Sequence, residues 1–262
     1  MDERVKMLTN FYDSSNEDSR LPGSEHGRLE FLTTMQYIHR FAPEKAKMLE
    51  VGAGTGRYSI ALAKEGFNVT AVELVQSNLE VLQSNAQGLS NLSAYQGDAL
   101  DLSRFQDGTF DCVLLLGPLY HLYEPADVQK CLSEAIRVTR PGGVILAAFL
   151  SVYSIILNNY LLEPLAQGIA FNFDEQYKPR HFEKQLFTGY DISEFESLWD
   201  GQDVDRLLTV GTDSVLEFAG RQKNFSLTEE DFQAFANLHL ATCEQRELLG
   251  YSSHLLSVFR KR

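Results

Sequence analysis

The sequence has few cysteines and no long apolar run, and both shortages narrow the class of protein. Its 3 cysteines, Cys112, Cys131 and Cys243, stand alone within apolar patterns, so we expect buried reduced thiols without metal-ligand spacing. No apolar run reaches the roughly 18 residues needed to cross a bilayer, and the start of the chain lacks the apolar core of a signal peptide. We therefore expect a cytoplasmic protein with no membrane partner.

Positive charge is also scarce. The chain has 23 Lys and Arg against 36 Asp and Glu, a formal net charge of −13 at pH 7. A surface of that sign repels a phosphate backbone, and the one basic cluster, at residues 260–262, is predicted to be a solvated tail. We therefore expect no nucleic-acid partner. The 6 histidines are scattered and form no i, i+4 pair, so the sequence predicts no metal site.

The strongest functional signal is the stretch 48–57. An apolar run stops at three alternate glycines, Gly52, Gly54 and Gly56, and a helical pattern closed by Gly66 follows. This order predicts a strand, a tight turn and a helix, with a ligand at the helix N-terminus. Glycine is needed because such a turn requires unusual φ values and because the backbone must approach the ligand closely.

The residues around the glycines indicate which ligand is bound. Dinucleotide sites prefer G-x-G-x-x-G, and here Arg57 stands where the third glycine of that spacing would be. Glu50 lies two residues before Gly52, and a carboxylate there opposes a pyrophosphate but favours a cationic ligand. S-adenosylmethionine, with a sulfonium, an ammonium and no phosphate, fits this pattern. A nicotinamide-dependent dehydrogenase is the disfavoured rival, and a glycine turn without a ligand is the other alternative.

Residues 49–56, Leu-Glu-Val-Gly-Ala-Gly-Thr-Gly, resemble the first motif of the class I S-adenosylmethionine-dependent methyltransferases. The resemblance extends to about residue 151, because later motifs recur in order and at the right spacing. It implies a doubly wound, mostly parallel seven-stranded α/β sheet of the Rossmann-like methyltransferase fold, with a helical cap after the fifth strand. We divide the chain into an N-terminal helical segment and cofactor lid (1–46), a cofactor-binding core (47–150), a substrate cap (151–187) and the rest of the sheet with added helices (188–262).

Apolar periodicity places the elements around this motif. Further strands are predicted at 67–73, 92–96, 110–116, 144–150 and 206–210, and a reversed edge strand at 254–259. Helices are predicted over 25–41, 192–199, 214–221 and 227–249, and the Pro-Gly-Gly turn at 141–143 precedes the fifth strand. The first 20 residues are polar and acidic, so their order is expected to depend on what they pack against.

The resemblance assigns residues to each part of the cofactor. Glu73, at the end of the second strand, is predicted to accept both ribose hydroxyls, although a simple polar strand end is the alternative. Asp98 is expected to take the adenine amino group, and backbone carbonyls near 115–117 the methionine ammonium. Tyr12 and Arg20 are candidates for a lid over the methionine end or, equally, for surface residues. The predicted cofactor residues are Tyr12, Arg20, Glu50, Gly52, Ala53, Gly54, Gly56, Tyr58, Glu73, Leu74, Asp98, Ala99, Leu115 and Gly117.

The implied reaction is methyl transfer to an N or O nucleophile of a small molecule. The protein's part in it is to align the reactants and exclude water, so a strong catalytic residue is not required. His121, in the loop after the fourth strand, is the candidate base, and Tyr120 is the candidate to position the acceptor or contact the sulfonium. Both could instead only pack under the cap. Methylation of a peptide or protein and non-catalytic cofactor binding are the alternative functions, and oligomeric state is not predicted.

Overall fold

A mostly parallel sheet forms the centre of the computed structural model, which describes residues 3–14, 23–161 and 164–262. The strands are β1 (Lys47–Val51), β2 (Asn68–Glu73), β3 (Leu92–Gln96), β4 (Phe110–Leu115), β5 (Thr139–Ser151), β6 (Gly189–Tyr190), β7 (Val204–Gly211) and β8 (His254–Lys261). Their order is β3-β2-β1-β4-β5-β8-β7, and β6 pairs with the end of β5. Strand β8 runs antiparallel to both of its neighbours. The doubly wound, mostly parallel fold and its reversed strand are therefore confirmed.

Helices cover both faces of this sheet. They are α1 (Glu3–Ser14), α2 (Glu25–Phe41), α3 (Arg57–Lys64), α4 (Gln76–Asn85), α5 (Pro125–Val138), α6 (Val152–Tyr160), α7 (Leu165–Asn172), α8 (Ile192–Ser197), α9 (Leu216–Gly220) and α10 (Glu229–Thr242). Along β4, Val113 and Leu115 enter one apolar cluster while Cys112 and Leu114 enter the other. Burial on both faces explains why β4 is a continuous apolar run. Among the described residues, no helix combines the length and apolar character needed to span a bilayer.

The helix predicted over 227–249 is wrong in its second half. Helix α10 ends at Thr242, and a 3₁₀ turn occupies Arg246–Tyr251. The carbonyl of Cys243 accepts a hydrogen bond of 3.2 Å from the backbone N–H of Gly211 in β7. This bond to the sheet replaces continuation of the helix, and a periodic sequence pattern does not show it.

Two further differences concern the sheet. Strand β5 begins at Thr139, so the glycines predicted as a turn lie within it; Gly142 has φ +74°, and the pairing with β4 changes register there. The short strand β6 was not predicted. It pairs in parallel with Leu150 and Ser151 at the end of β5, and this pairing fixes the position of the residues just before it. That placement brings residues 186–188 into contact with Tyr120 and His121.

Gly56 offers a test of how tightly the glycine turn packs. A Cβ there would lie 2.6 Å from Cγ of the buried Leu82, at φ +89°, whereas Gly88 has φ +87° with open space around it. We expect Gly56→Ala to lower the free energy of unfolding by roughly 2–5 kcal/mol, from backbone strain plus the clash. The control Gly88→Ala should lose about 1–2 kcal/mol from strain alone. Equal losses in urea unfolding would contradict this packing.

Candidate active site

A cleft opens at the carboxyl ends of β1, β2 and β4, where the strand order reverses. Ligands of open α/β sheets bind at such a switch point. The cleft encloses about 950 Å³, its open mouth included. The predicted residues that line it are Tyr12, Glu50, Gly52, Ala53, Gly54, Tyr58, Glu73, Leu74, Asp98, Ala99, Gly117, Tyr120 and His121. The cleft thus brings together residues that are spread over more than 100 positions of the chain.

Three predicted residues are not placed in the cleft wall. Arg20 lies outside the described residues. Leu115 is fully buried in β4, and its neighbour Leu116 reaches the cleft instead. Gly56 caps α3 in the left-handed conformation and packs against Leu82. Gly56 therefore shapes the turn, while the wall itself is formed by the preceding glycines.

Close backbone approach explains the first glycine. Gly52 has φ +73°, and a Cβ there would lie 2.9 Å from Cδ of Pro118. The turn after β1 and the 3₁₀ turn Pro118–His121 after β4 therefore touch each other. This contact draws the two loops together and sets the width of the cleft.

Glu50 is a buried acid in the floor of the cleft. Only 2% of it is exposed, and the hydroxyl of Ser59 donates a hydrogen bond to its carboxylate. Burial raises the pKa of the Glu50 carboxyl to about 8; the charge of Glu73 raises the pKa further, and the bond from Ser59 opposes the shift. At neutral pH the ligand-free protein therefore holds Glu50 mostly protonated, and a cation placed beside it would favour the ionised form.

Glu73 is held rigidly at the end of β2. One carboxylate oxygen accepts from the backbone N–H of Gly54 at 2.7 Å, and the other accepts from that of Val75 at 2.8 Å. The carboxylate thus ties the glycine turn to the loop after β2. Each oxygen can accept more than one hydrogen bond, so the same orientation presents acceptors to a pair of hydroxyls. Its contact with ribose stays a prediction.

Arg4 is the main site residue that the sequence analysis missed. It is 4% exposed on α1, lines the cleft and forms an ion pair with Asp98, the predicted adenine acceptor. Asp98 also accepts from the backbone N–H of Leu100 at 3.1 Å. Arg4, Leu8 and Tyr12 are spaced four residues apart, which places them on one face of a helix. This spacing is the sequence signal that could have identified Arg4 as a site residue. The other unpredicted lining residues are Thr55, Arg57, Val75, Asn78, Gly97, Leu116 and Pro118.

Tyr12 and His121, predicted separately, are in contact. The Nδ1 atom of His121 lies 2.7 Å from the carbonyl oxygen of Leu186, and Nε2 lies 2.8 Å from the hydroxyl of Tyr12. A carbonyl only accepts, so Nδ1 carries the proton and Nε2 accepts from Tyr12. Next to them, the Tyr120 hydroxyl donates to the carbonyl of Leu116 at 2.8 Å. The ring nitrogen of His121 that a base would use therefore carries no proton of its own and accepts the hydrogen bond from Tyr12.

Comparison with known proteins finds a methyltransferase domain in this chain. Residues 49–147 match a family model described as a methyltransferase domain. A putative methyltransferase of Bacillus subtilis is 32% identical over 112 residues, which are 42% of this chain and 45% of that protein. A ubiquinone biosynthesis O-methyltransferase of Rickettsia typhi is 24% identical over 200 residues, which are 74% of this chain and 79% of that protein. Residues 49–147 therefore carry a methyltransferase domain, and these matches support the class I S-adenosylmethionine-dependent methyltransferase superfamily.

The fold of this methyltransferase recurs in solved structures. A methyltransferase of Thermotoga maritima, described as a possible histamine N-methyltransferase, has a TM-score of 0.62 at 15% identity, covering 99% of this chain and 100% of that one. At that identity the likeness shows the fold alone. The chain also spans less than half the length of the Bacillus relative that it matches, so the acceptor and the full activity are argued below as proposals.

The cleft of the methyltransferase fits S-adenosylmethionine, the cosubstrate of its family. Its two arginines are both engaged, Arg4 with Asp98 and Arg57 over the ring of Phe31 at 4.7 Å. Glu73 adds negative charge beside the glycine turn, and Glu50 can add a second charge when a nearby cation favours its ionised form. This charge distribution suits a cationic ligand without phosphate. The matched domain supports a methyltransferase and not the nicotinamide-dependent dehydrogenase that the sequence already disfavoured.

Replacing Glu50 should change the pH dependence of stability. Its folded pKa of about 8 lies above its ordinary value of 4.5, so the folded protein keeps a proton that the unfolded chain releases. Stability therefore falls as pH rises across that window. We expect Glu50→Gln to raise the melting temperature of the ligand-free protein more at about pH 8.5 than at about pH 5. The exposed control Glu247→Gln should change little at either pH, and an equal effect of Glu50→Gln at both would contradict the account.

Replacing Glu73 should weaken cosubstrate binding. We expect Glu73→Ala to raise the calorimetric Kd for S-adenosylmethionine by roughly 10- to 100-fold, since hydrogen bonds to a charged acceptor are lost. Glu80→Ala, on the exposed side of α4, is the control and should bind as the native protein does. Unchanged affinity in a folded Glu73→Ala protein would remove Glu73 from the ribose site.

Proposed function

We propose that this methyltransferase transfers the methyl group to an oxygen or nitrogen nucleophile of a small molecule, with His121 as the base. The observation that carries the proposal is the fixed tautomer of His121 in the cleft wall: Nδ1 is held by the carbonyl of Leu186, and Nε2 accepts. An imidazole in that state can take a proton from a nucleophile near neutral pH.

The chain's residues supply binding, orientation and exclusion of water. When bound, S-adenosylmethionine supplies an activated methyl group. Glu73 would hold the ribose, Asp98 the adenine and Glu50 the positive charge of the cosubstrate. Helix α1 lies along the cleft from Asp98 to His121, through its residues Arg4 and Tyr12. We therefore propose that the N-terminal segment 1–46 is the lid over the cosubstrate.

Two observations support a small acceptor. The Rickettsia relative is named as a ubiquinone biosynthesis O-methyltransferase, and this name indicates a small-molecule acceptor for that protein. In this chain, residues 186–188 follow the two helices after β5 and contact the turn that carries His121: the Thr188 N–H donates to the Tyr120 carbonyl at 2.7 Å, and the Leu186 carbonyl lies 2.7 Å from Nδ1 of His121. We propose that segment 151–187 is the acceptor cap. A cap over this end of the cleft would favour a small molecule over an extended peptide.

The role of His121 can be separated from cosubstrate binding. We expect His121→Ala to lower kcat by roughly 10²-fold or more, because proton removal is lost, with the Kd for S-adenosylmethionine nearly unchanged. The acceptor for this assay is obtained by incubating native protein with metabolite pools and finding the compound that gains one methyl group by mass spectrometry. The exposed His39→Ala is the control and should keep native kcat. A fully active His121→Ala protein would overturn the assignment.

A further inference from the structure

The group that donates to His121 in the cleft is itself a phenol. The hydroxyl of Tyr12 lies 2.8 Å from Nε2, the nitrogen that would take the acceptor's proton. The opposite nitrogen is fixed by the Leu186 carbonyl at 2.7 Å, so the imidazole keeps this acceptor atom turned toward the phenol. The site therefore already recognises an aromatic hydroxyl through the atom that would activate it.

Aromatic rings from three separate segments surround this contact. The Tyr12 ring meets Phe11 edge-on at 5.1 Å between centroids and His121 edge-on at 5.7 Å. On the other side of His121 lie Tyr120 at 4.9 Å and Phe187 at 5.0 Å. Edge-to-face and tilted packing of this kind favours a planar aromatic guest. The rings of Phe11, Tyr12, Tyr120 and Phe187 around His121 are uncharged. An ammonium placed among these four rings would therefore gain no charge partner from them beyond a cation–π contact.

We propose that the methyl acceptor is a phenol, whose hydroxyl takes the place of the Tyr12 hydroxyl on Nε2 of His121. The proposal rests on the proposed role of His121 as base and names the acceptor class for it. In the step, the acceptor's O–H proton passes to Nε2 and its oxygen forms a bond to the methyl carbon. The carbon–sulfur bond breaks with its electron pair left on sulfur, so that atoms and charge balance.

The position of Tyr12 makes this exchange possible. Tyr12 is half-buried in the last turn of α1, two residues before the helix ends at Ser14. The buried Leu8 and the Arg4–Asp98 ion pair anchor the earlier turns of α1, whereas at its exposed rim α1 is held by the ion pair of Glu3 with Lys184 and the bond from Ser77 to Asp13. Exposed pairs of this kind are weak. The phenol side chain can therefore leave Nε2 with little disturbance of the core, and the native tyrosine acts as an internal competitor for the acceptor's place.

Tyr12→Phe tests the proposal by removing the competing hydroxyl while keeping the ring. The probe is p-cresol, titrated by ligand-observed NMR into protein saturated with S-adenosylhomocysteine. We expect Tyr12→Phe to bind p-cresol roughly 2- to 10-fold more tightly than native protein, the value of one net hydrogen bond. Benzylamine and 4-methylcyclohexanol should bind more weakly than p-cresol to both proteins. The control Tyr95→Phe removes a hydroxyl from an exposed tyrosine and should match the native protein.

Several outcomes would overturn the phenol assignment. One is that Tyr12→Phe binds p-cresol no more tightly than the native protein does, and another is that benzylamine binds as tightly as p-cresol. A third is that Tyr12→Phe loses turnover as completely as His121→Ala, which would make Tyr12 a proton relay. Tighter p-cresol binding without methylation of any phenol would uphold the binding site and refute the proposed reaction. Methylation of an amine, with p-cresol affinity unchanged in Tyr12→Phe, would uphold the reaction and refute the phenol.

Discussion

Two carboxylates, Glu50 near the end of β1 and Glu73 at the end of β2, lie on neighbouring parallel strands with 2% and 5% of their surfaces exposed. Two like charges so little hydrated repel each other, and the ligand-free protein relieves this by keeping a proton on Glu50. A cation entering the cleft relieves it in another way, whereas a phosphate would add a third negative charge. The preference for a cationic cosubstrate therefore follows from where these strands end.

The surrounding elements depend on this pair. Glu73 accepts a hydrogen bond from Gly54 and so holds the glycine turn. The same turn approaches Pro118 closely enough to require a glycine at position 52. Helix α1 then covers the cleft from Asp98 to His121, and β6 brings Phe187 against His121. The proposed cosubstrate side is thus built from strand ends, and the proposed acceptor side from segments outside the central sheet.

Local sequence signals predicted the sheet, its glycine turn and the acids at the strand ends, because strand, turn and helix patterns are short-range. They missed Arg4, whose partner Asp98 is 94 positions away and whose helix lies in a polar segment. They placed the end of α10 wrongly, because the Gly211 bond to Cys243 comes from another strand. The contact between Tyr12 and His121 was equally beyond reach, although both residues were named for separate reasons.

The central claim is that a bound cation replaces the proton on Glu50. Calorimetry of S-adenosylmethionine binding at about pH 7, in buffers of different ionisation enthalpy, measures the protons released. Comparing native protein with Glu50→Gln cancels protons that come from the ligand or from other groups. The account predicts that the native protein releases about one proton more than Glu50→Gln. Equal proton release from the two proteins would contradict it.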